Sequence, residues 1–262
     1  MKKILVFVFF LMMLGSIHMS AQEAELDVKI PDTANRIEGP GQKTGYWIEK
    51  QGELIWKGEY HANKKIKNWV CYYPNNIIYK IEYYSNGIKD GISIQFDRKG
   101  KMTLVENYKN GLAHGQTIYY GQFSEIPLSE TEFVNGKKTG LFRQYYDNGK
   151  IQEESYFKDD LKNGFSKWYN KNGRMIATYQ YVNGNFDGVQ KTYYENDTVS
   201  SVYYFKDNKL SGDSKEYYRN GKVKVAGKYI MGEKDGAWIE YDELGKTQKV
   251  TKFKNGQEQN RK

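Results

Sequence analysis

From about residue 46 onward the chain alternates short aromatic and aliphatic runs with clusters of Gly, Asn, Asp and Lys, and no apolar run keeps a helical period. The stretch 140–163, GLFRQYYDNGKIQEESYFKDDLKN, shows the pattern in full. Residues 141–146 are aromatic and apolar, Asp147-Asn148-Gly149-Lys150 reads as a turn, 151–157 is a second extended run, and 158–163 turns again. Two strands per unit follow. Gly or Asn interrupts every run within about seven residues, whereas a stable helix needs about ten or more. The predicted fold is all-β: an elongated antiparallel β-meander built from tandem two-stranded hairpin repeats of about 24 residues.

The unit recurs with a nearly fixed step. Gly45, Asn68, Gly91, Gly115, Gly140, Gly164, Gly188, Gly212 and Gly236 are separated by 23, 23, 24, 25, 24, 24, 24 and 24 residues, a period that marks a repeat architecture. Two aromatic columns keep the same register. One, five residues after each marker, runs Lys50, Tyr73, Phe96, Tyr120, Tyr145, Tyr169, Tyr193, Tyr217, Tyr241; the other, seven residues before, runs Tyr84, Tyr108, Phe133, Phe157, Tyr181, Phe205, Tyr229. The marker column is read as the turn between repeats, with Asn68 standing in once for glycine. Asn148-Gly149, Asn172-Gly173 and Asn220-Gly221 are read as mirror-image hairpin turns, which need positive φ at both residues. Nine such units would give about eighteen strands and a sheet on the order of 80 Å long. With 24 Tyr against 12 Phe, the rings suit a half-exposed single layer whose hydroxyls stay near water.

The beginning of the chain reads differently. MKKILVFVFFLMMLGSIHMSAQ has two lysines, an apolar run and then small residues, the pattern of a secretory signal peptide over 1–21. Residues 22–44, with Pro31, Gly39, Pro40 and Gly41, read as a linker or N-terminal arm, and 45–262 as the array of about nine units. No second hydrophobic segment is seen, so no stable membrane span is expected, and the mature protein is expected to be exported, periplasmic or extracellular. Without Lys2 and Lys3 the formal charge falls from +8 to +6, a modest excess carried largely by turn lysines such as Lys137, Lys150, Lys222 and Lys246. A solvated surface accounts for it, and no nucleic-acid partner is expected. The single cysteine, Cys71, cannot form an intramolecular disulfide. Aligned with Ile48, Ile94, Ile118 and Ile239, it is expected to be a small buried apolar residue.

The run from Phe133 to Lys150, Phe-Val-Asn-Gly-Lys-Lys-Thr-Gly-Leu-Phe-Arg-Gln-Tyr-Tyr-Asp-Asn-Gly-Lys, echoed more loosely in 181–194 and 229–246, resembles the variant MORN repeat of bacterial proteins grouped as YwqK-type antitoxins. The resemblance covers about 215 residues. It implies a β-hairpin array that acts by binding, the antitoxin name referring to neutralisation of a partner toxin. Departures are Asn68 at a marker, Ser124-Glu125-Ile126-Pro127 in place of a hairpin turn, and Asn196-Asp197 in place of Asn-Gly.

No catalytic, cofactor or metal site is predicted. His61 and His114 lie in different units near turns, too far apart in a quasi-linear array for shared chemistry. The neighbouring acids Glu153-Glu154 and Asp159-Asp160 read as solvated surface rather than an acid/base pair. Residues 39–45, Gly-Pro-Gly-Gln-Lys-Thr-Gly, lack the lysine directly after the last glycine and the following helix that a phosphate loop needs. The expected function is therefore binding of an unidentified protein, a toxin or an envelope protein, through an aromatic-rich sheet surface, with an antitoxin or immunity role as one form of it. Trp47, Phe142, Trp168 and Trp238 fall at even offsets after their markers, on one face opposite the odd-offset Tyr column, and are the candidate partner-binding residues. The alternative is a surface that binds lipid or cell-wall glycan.

Overall fold

A computed structural model describes residues 34–39, 41–121 and 125–259. The predicted signal peptide, its cleavage point and most of the predicted arm lie outside the described residues. All regular structure among the described residues is β. The chain divides into two units between Glu125 and Ile126, at the place where Ser-Glu-Ile-Pro breaks the sequence pattern.

In the first unit the strands Gly45–Gln51, Leu54–His61, Lys64–Tyr72, Ile78–Ser85, Ile88–Phe96 and Met102–Lys109 each pair antiparallel with the next. Met102–Lys109 then pairs with Leu112–Ala113 and Gly115–Tyr120. A small hairpin, Ile37–Glu38 with Gln42–Lys43, precedes them. Asn35 lies along the outer edge of Gly45–Gln51, its N–H bonded to the Tyr46 carbonyl at 2.8 Å and its side-chain oxygen accepting from Ile48 N–H at 2.8 Å. That strand edge, which would otherwise offer free ladder groups, is partly closed.

The second unit repeats the plan. Pro127–Val134, Lys137–Tyr145, Ile151–Lys158, Leu161–Tyr169 and Met175–Val182 form a meander. It continues through Gly188–Tyr193, Val199–Lys206, Gly212–Tyr217, Val223–Ile230, Glu233–Tyr241 and Thr247–Lys254.

Two kinds of turn alternate, and the structure exchanges the roles read from sequence. Val134 pairs with Lys137 across Asn135-Gly136, whose φ values of 51° and 82° are those of the mirror-image two-residue turn. Asn86-Gly87, Asn110-Gly111, Asn183-Gly184 and even Asp159-Asp160 share this geometry. At Asn148-Gly149, by contrast, only the glycine has positive φ, 77°, and Gly149 N–H bonds to the Tyr146 carbonyl at 3.0 Å. This is a three-residue loop ending in a left-handed glycine. Asn148 is needed there for a different reason: its amide donates to the Lys171 carbonyl one repeat later at 2.8 Å. Tyr146 does the same toward the Tyr169 carbonyl at 2.8 Å, and Tyr194 and Tyr218 donate to Tyr217 and Tyr241 at 2.6 and 2.7 Å. The loops of successive repeats are thus laced together.

The marker glycines are not turns between repeats. They sit in strands, at a bulge where Ser155 pairs with Ser166 and Phe157 with Lys162, so the single residue Tyr156 of one strand faces three, Asn163 to Phe165, of the next. Gly164, at the centre of the three, has a φ of 109°, and the column of glycines follows from that conformation. The marker of the second repeat is Lys67, not Asn68. Lys67 has a φ of 61° and pairs with Tyr84 as Gly91 pairs with Tyr108. The repeat is present; the substitution for glycine is one residue earlier. Cys71 is fully buried, as expected. Its neighbour Val70, rather than Cys71 itself, is the true counterpart of Ile94, since Val70 and Ile94 both pair with Ile81.

Candidate functional site

The pleat divides every strand between two faces, and the two faces have different chemistry. On one, each marker lies directly opposite an aromatic ring: Gly45 faces Tyr60, Gly91 Tyr108, Gly140 Phe157, Gly164 Tyr181, Gly188 Phe205 and Gly236 Phe253. The ring covers backbone that glycine leaves bare. In six of the nine units the residue two before the marker is a lysine, and its ammonium lies over that ring. Lys89 stands 4.9 Å from the centre of Tyr108, Lys162 5.3 Å from Tyr181, and Lys234 5.2 Å from Phe253 and 4.2 Å from Trp238. Cation–π attraction holds these stems flat on the sheet.

Carboxylates complete this covering. Glu82, 4 % exposed, accepts from Lys89 at 2.5 Å, Lys80 at 3.1 Å and the Tyr84 hydroxyl at 2.7 Å. Burial alone would raise its titration, but these donors outweigh it and hold the carboxyl below its ordinary range. Burial first, and the hydrogen bond to Glu82 second, push the Tyr84 hydroxyl well above the usual phenol range. Glu153 is also buried, bonded to Ser155 at 2.5 Å and to Lys162. It was expected on a solvated surface; the lysine and serine at its side allow burial. Its neighbour Glu154 points to the opposite face and meets Arg143 at 3.1 Å, so the two acids share no substrate position. Asp159 and Asp160 form a hairpin turn.

The four candidate aromatics all occupy this covered face. Trp238 is 7 % exposed and packs on Gly227, where a Cβ would come within 2.3 Å of the indole. Trp47, Phe142 and Trp168 are half-buried, each in its own repeat, and Trp47 lies in the first unit apart from the rest. The sequence reading missed Trp69. It is fully buried over Gly58 in the same manner, its indole N–H donating to the Glu59 carbonyl at 3.1 Å. Counting from Lys67, Trp69 holds the same offset as Trp47, Phe142 and Trp238; counting from Asn68 hid it.

The opposite face carries a transverse row of directly paired residues. In the first unit it reads Ile48, Lys57, Val70, Ile81, Ile94, Val105, Ile118. In the second it reads Glu130, Arg143, Glu154, Lys167, Thr178, Lys191, Val202, Lys215, Ala226, Ile239, Val250. Arg143 is held between Glu154 and Glu130, and Lys167 leans to Glu154 at 3.8 Å. Lys191 and Lys215 have no carboxylate at ion-pair distance among the described residues. Beside this row Tyr156, Phe165 and Tyr204 expose 47, 48 and 45 % of their surface. No single sequence motif announced this face, but the column three residues after the markers, Ile48, Ile94, Ile118, Arg143, Lys167, Lys191, Lys215, Ile239, contains its signal.

No group of three or more His, Cys, Asp or Glu suited to a metal ion occurs among the described residues. His61 is exposed and pairs with Lys64 beside a turn, and His114 N–H bonds to the Asn107 carbonyl at 2.8 Å. Burial raises the Cys71 thiol to about 11, so it is no nucleophile at neutral pH. No helix among the described residues is long and apolar enough to cross a membrane.

Residues 138–159, 186–207 and 210–230 match the family model described as MORN repeat variant. Each stretch begins just before a marker glycine, Gly140, Gly188 or Gly212, and ends at or just after the end of the next long strand, so these three stretches of the second unit are similar to the MORN repeat variant. No curated protein matches the chain. Among solved structures, a crystal structure of a GtfA/B complex bound to UDP and GlcNAc is similar at 13 % identity over 44 % of this chain and 23 % of that chain, with a TM-score of 0.21. A crystal structure of a GtfA/B complex matches at 12 % identity over 51 % and 21 %, with a TM-score of 0.23. The chain spans less than a quarter of those proteins' length, and likenesses this distant bear on neither fold nor function.

Proposed function

We propose that the protein is an exported, non-catalytic repeat protein that binds another protein through the broad face of its second unit. One observation carries this reading. The face holding the tryptophans is covered by the molecule's own lysines and rings, whereas the opposite face leaves Tyr156, Phe165 and Tyr204 nearly half exposed beside unpaired lysines. Exposed Tyr and Phe on a rigid sheet give a large contact area at low entropic cost. Export rests on the lysine-led apolar start of the chain. Within this function, resemblance to YwqK-type antitoxins makes the partner a toxin-like protein and the role one of immunity or neutralisation.

The test is capture of a partner from envelope extract by the full mature chain, followed by Tyr156→Ala/Phe165→Ala/Tyr204→Ala. Loss of capture by at least tenfold in the folded triple variant is expected. Undiminished capture by that variant, or loss in Trp168→Ala alone, would move the interface off this face.

A further inference from the structure

One buried arrangement of the first unit recurs a repeat later without its cations. Glu82 and Glu106 stand nine residues before their markers, Gly91 and Gly115, and each accepts from the tyrosine two residues on, Tyr84 at 2.7 Å and Tyr108 at 3.0 Å. The charge of Glu82 is met by Lys80 and Lys89. In the next repeat those two places hold Leu104 and Ala113. Lys89 lies over the Tyr108 ring but gives its ammonium to Glu82, and Glu106 has no cation at ion-pair distance among the described residues.

The neighbours of Glu106 are also left without partners. Ser93 pairs directly with Glu106 on one side, and the register of Ile118 with Val105 sets Thr117 opposite it on the other. These side chains share one face. Ser93 and Thr117 are 2 and 3 % exposed and neither hydroxyl has a hydrogen-bond partner, whereas Ser166, in the same column after Gly164, is bonded to Ser155 at 2.6 Å. Buried hydroxyls are ordinarily bonded. Tyr119, two residues on from Thr117 and 47 % exposed, adds a ring to this face, and Ala113, paired with Tyr108, puts only a methyl group where a sister repeat has a lysine.

We infer that the place left by Ala113 receives a lysine side chain of another polypeptide, its ammonium on the Glu106 carboxylate beside the Ser93 and Thr117 hydroxyls and its stem against Tyr119. The molecule supplies the template for this occupant. Six of the nine units fill the column of Ala113 with their own lysine, and Lys89 shows that an ammonium carried there meets the carboxylate, at 2.5 Å. A half-buried carboxylate without a counter-charge gains from a donor cation. A compact ammonium on a flexible four-carbon stem fits a place that sister lysines fill, whereas a planar guanidinium has no such precedent in this column. The site belongs to the first unit and stands apart from the open-face function proposed above.

The probe is a labelled, end-blocked Gly-Ser-Lys-Ser-Gly peptide titrated against the full mature chain, with its acetyl-lysine and norleucine counterparts as controls. Binding at least fivefold tighter for the lysine peptide is expected. Ala113→Lys, which fills the place from within, should weaken that binding at least fivefold and raise the thermal midpoint as the arrangement of the sister repeat is restored. Glu106→Gln should weaken it equally, whereas Glu243→Gln, at an exposed loop, should change it less than twofold. Should Glu106→Gln unfold the chain, Ala113→Lys decides alone. Equal binding of the three peptides, or unchanged binding in Ala113→Lys, would overturn the proposal. So would tighter binding of free cadaverine or of phosphatidylethanolamine vesicles, which would assign the place to a small amine or a lipid headgroup. The titration needs no captured partner, so its failure leaves the open-face function standing, and failure of partner capture leaves this site standing.

Discussion

The same transverse row is hydrophobic in the first unit apart from Lys57, and in the second is mostly charged from Glu130 to Lys215 before turning apolar at Ala226, on backbones of the same register. In the first, Val70, Ile81, Ile94 and Met102 close over Ile78 and Phe96 and form a small core. In the second, the corresponding line runs Arg143, Glu154, Lys167, Thr178, Lys191, Val202 and Lys215. The covered face, with its glycine, ring and lysine, is common to both. A repeat array can thus hold its backbone by one face and vary the other repeat by repeat, because each hairpin touches chiefly its neighbours. The first unit packs a small core on its second face, whereas the second leaves Tyr156, Phe165 and Tyr204 exposed there.

Exchanging residues along the row gives the largest test of that difference. Ile94→Lys puts an unpaired ammonium into the first unit's cluster and should lower stability by roughly 2–4 kcal/mol in chemical denaturation. Lys215→Ile should stay within about 0.5 kcal/mol of the parent, as surface changes away from any special contact do. Equal losses would mean that the two rows do the same work.

A smaller effect separates the shared face from the variable one. Because donors hold Glu82 below the ordinary carboxylate range, its contribution is fully present above that range and is lost as pH falls below it, through the group's own lower titration. Glu82→Gln should cost about 2–3 kcal/mol at neutral pH and flatten the acid limb of the stability curve. An unchanged acid limb in the variant would show that other carboxylates set it.

The smallest effect concerns the one marker that is not glycine. Lys67 holds a φ of 61°, a conformation that costs a side-chain-bearing residue about 1–2 kcal/mol. Lys67→Gly should raise stability by about 0.5–1 kcal/mol despite losing the exposed contact of Lys67 with Glu59. A fall would mean that this bulge differs from those at Gly91 and Gly140.

The β class, the two strands per repeat and the turn at 147–150 were legible in the sequence, because strand alternation and turn chemistry are local and nine imperfect copies reinforce one another, whereas the marker glycines, read as turns, lie in strands. The reading of Asn148-Gly149 erred because a dipeptide does not state its loop length; Tyr146 and Asn148 serve the next loop, 23 residues on. Asn68 reads as a marker because asparagine resembles glycine in tolerating turns, but the positive φ belongs to Lys67. That one-residue slip also hid Trp69, since in a strand it exchanges faces.

The period, the strand content and the residue types of each column follow from the chain taken a few residues at a time. Only the tertiary structure decided which columns are covered. A tryptophan reads alike whether it packs on Gly227 or faces solvent, and a lysine reads alike whether it lies over a ring or stands without a counter-charge. That distinction depends on residues brought alongside by strand pairing, and register places them there.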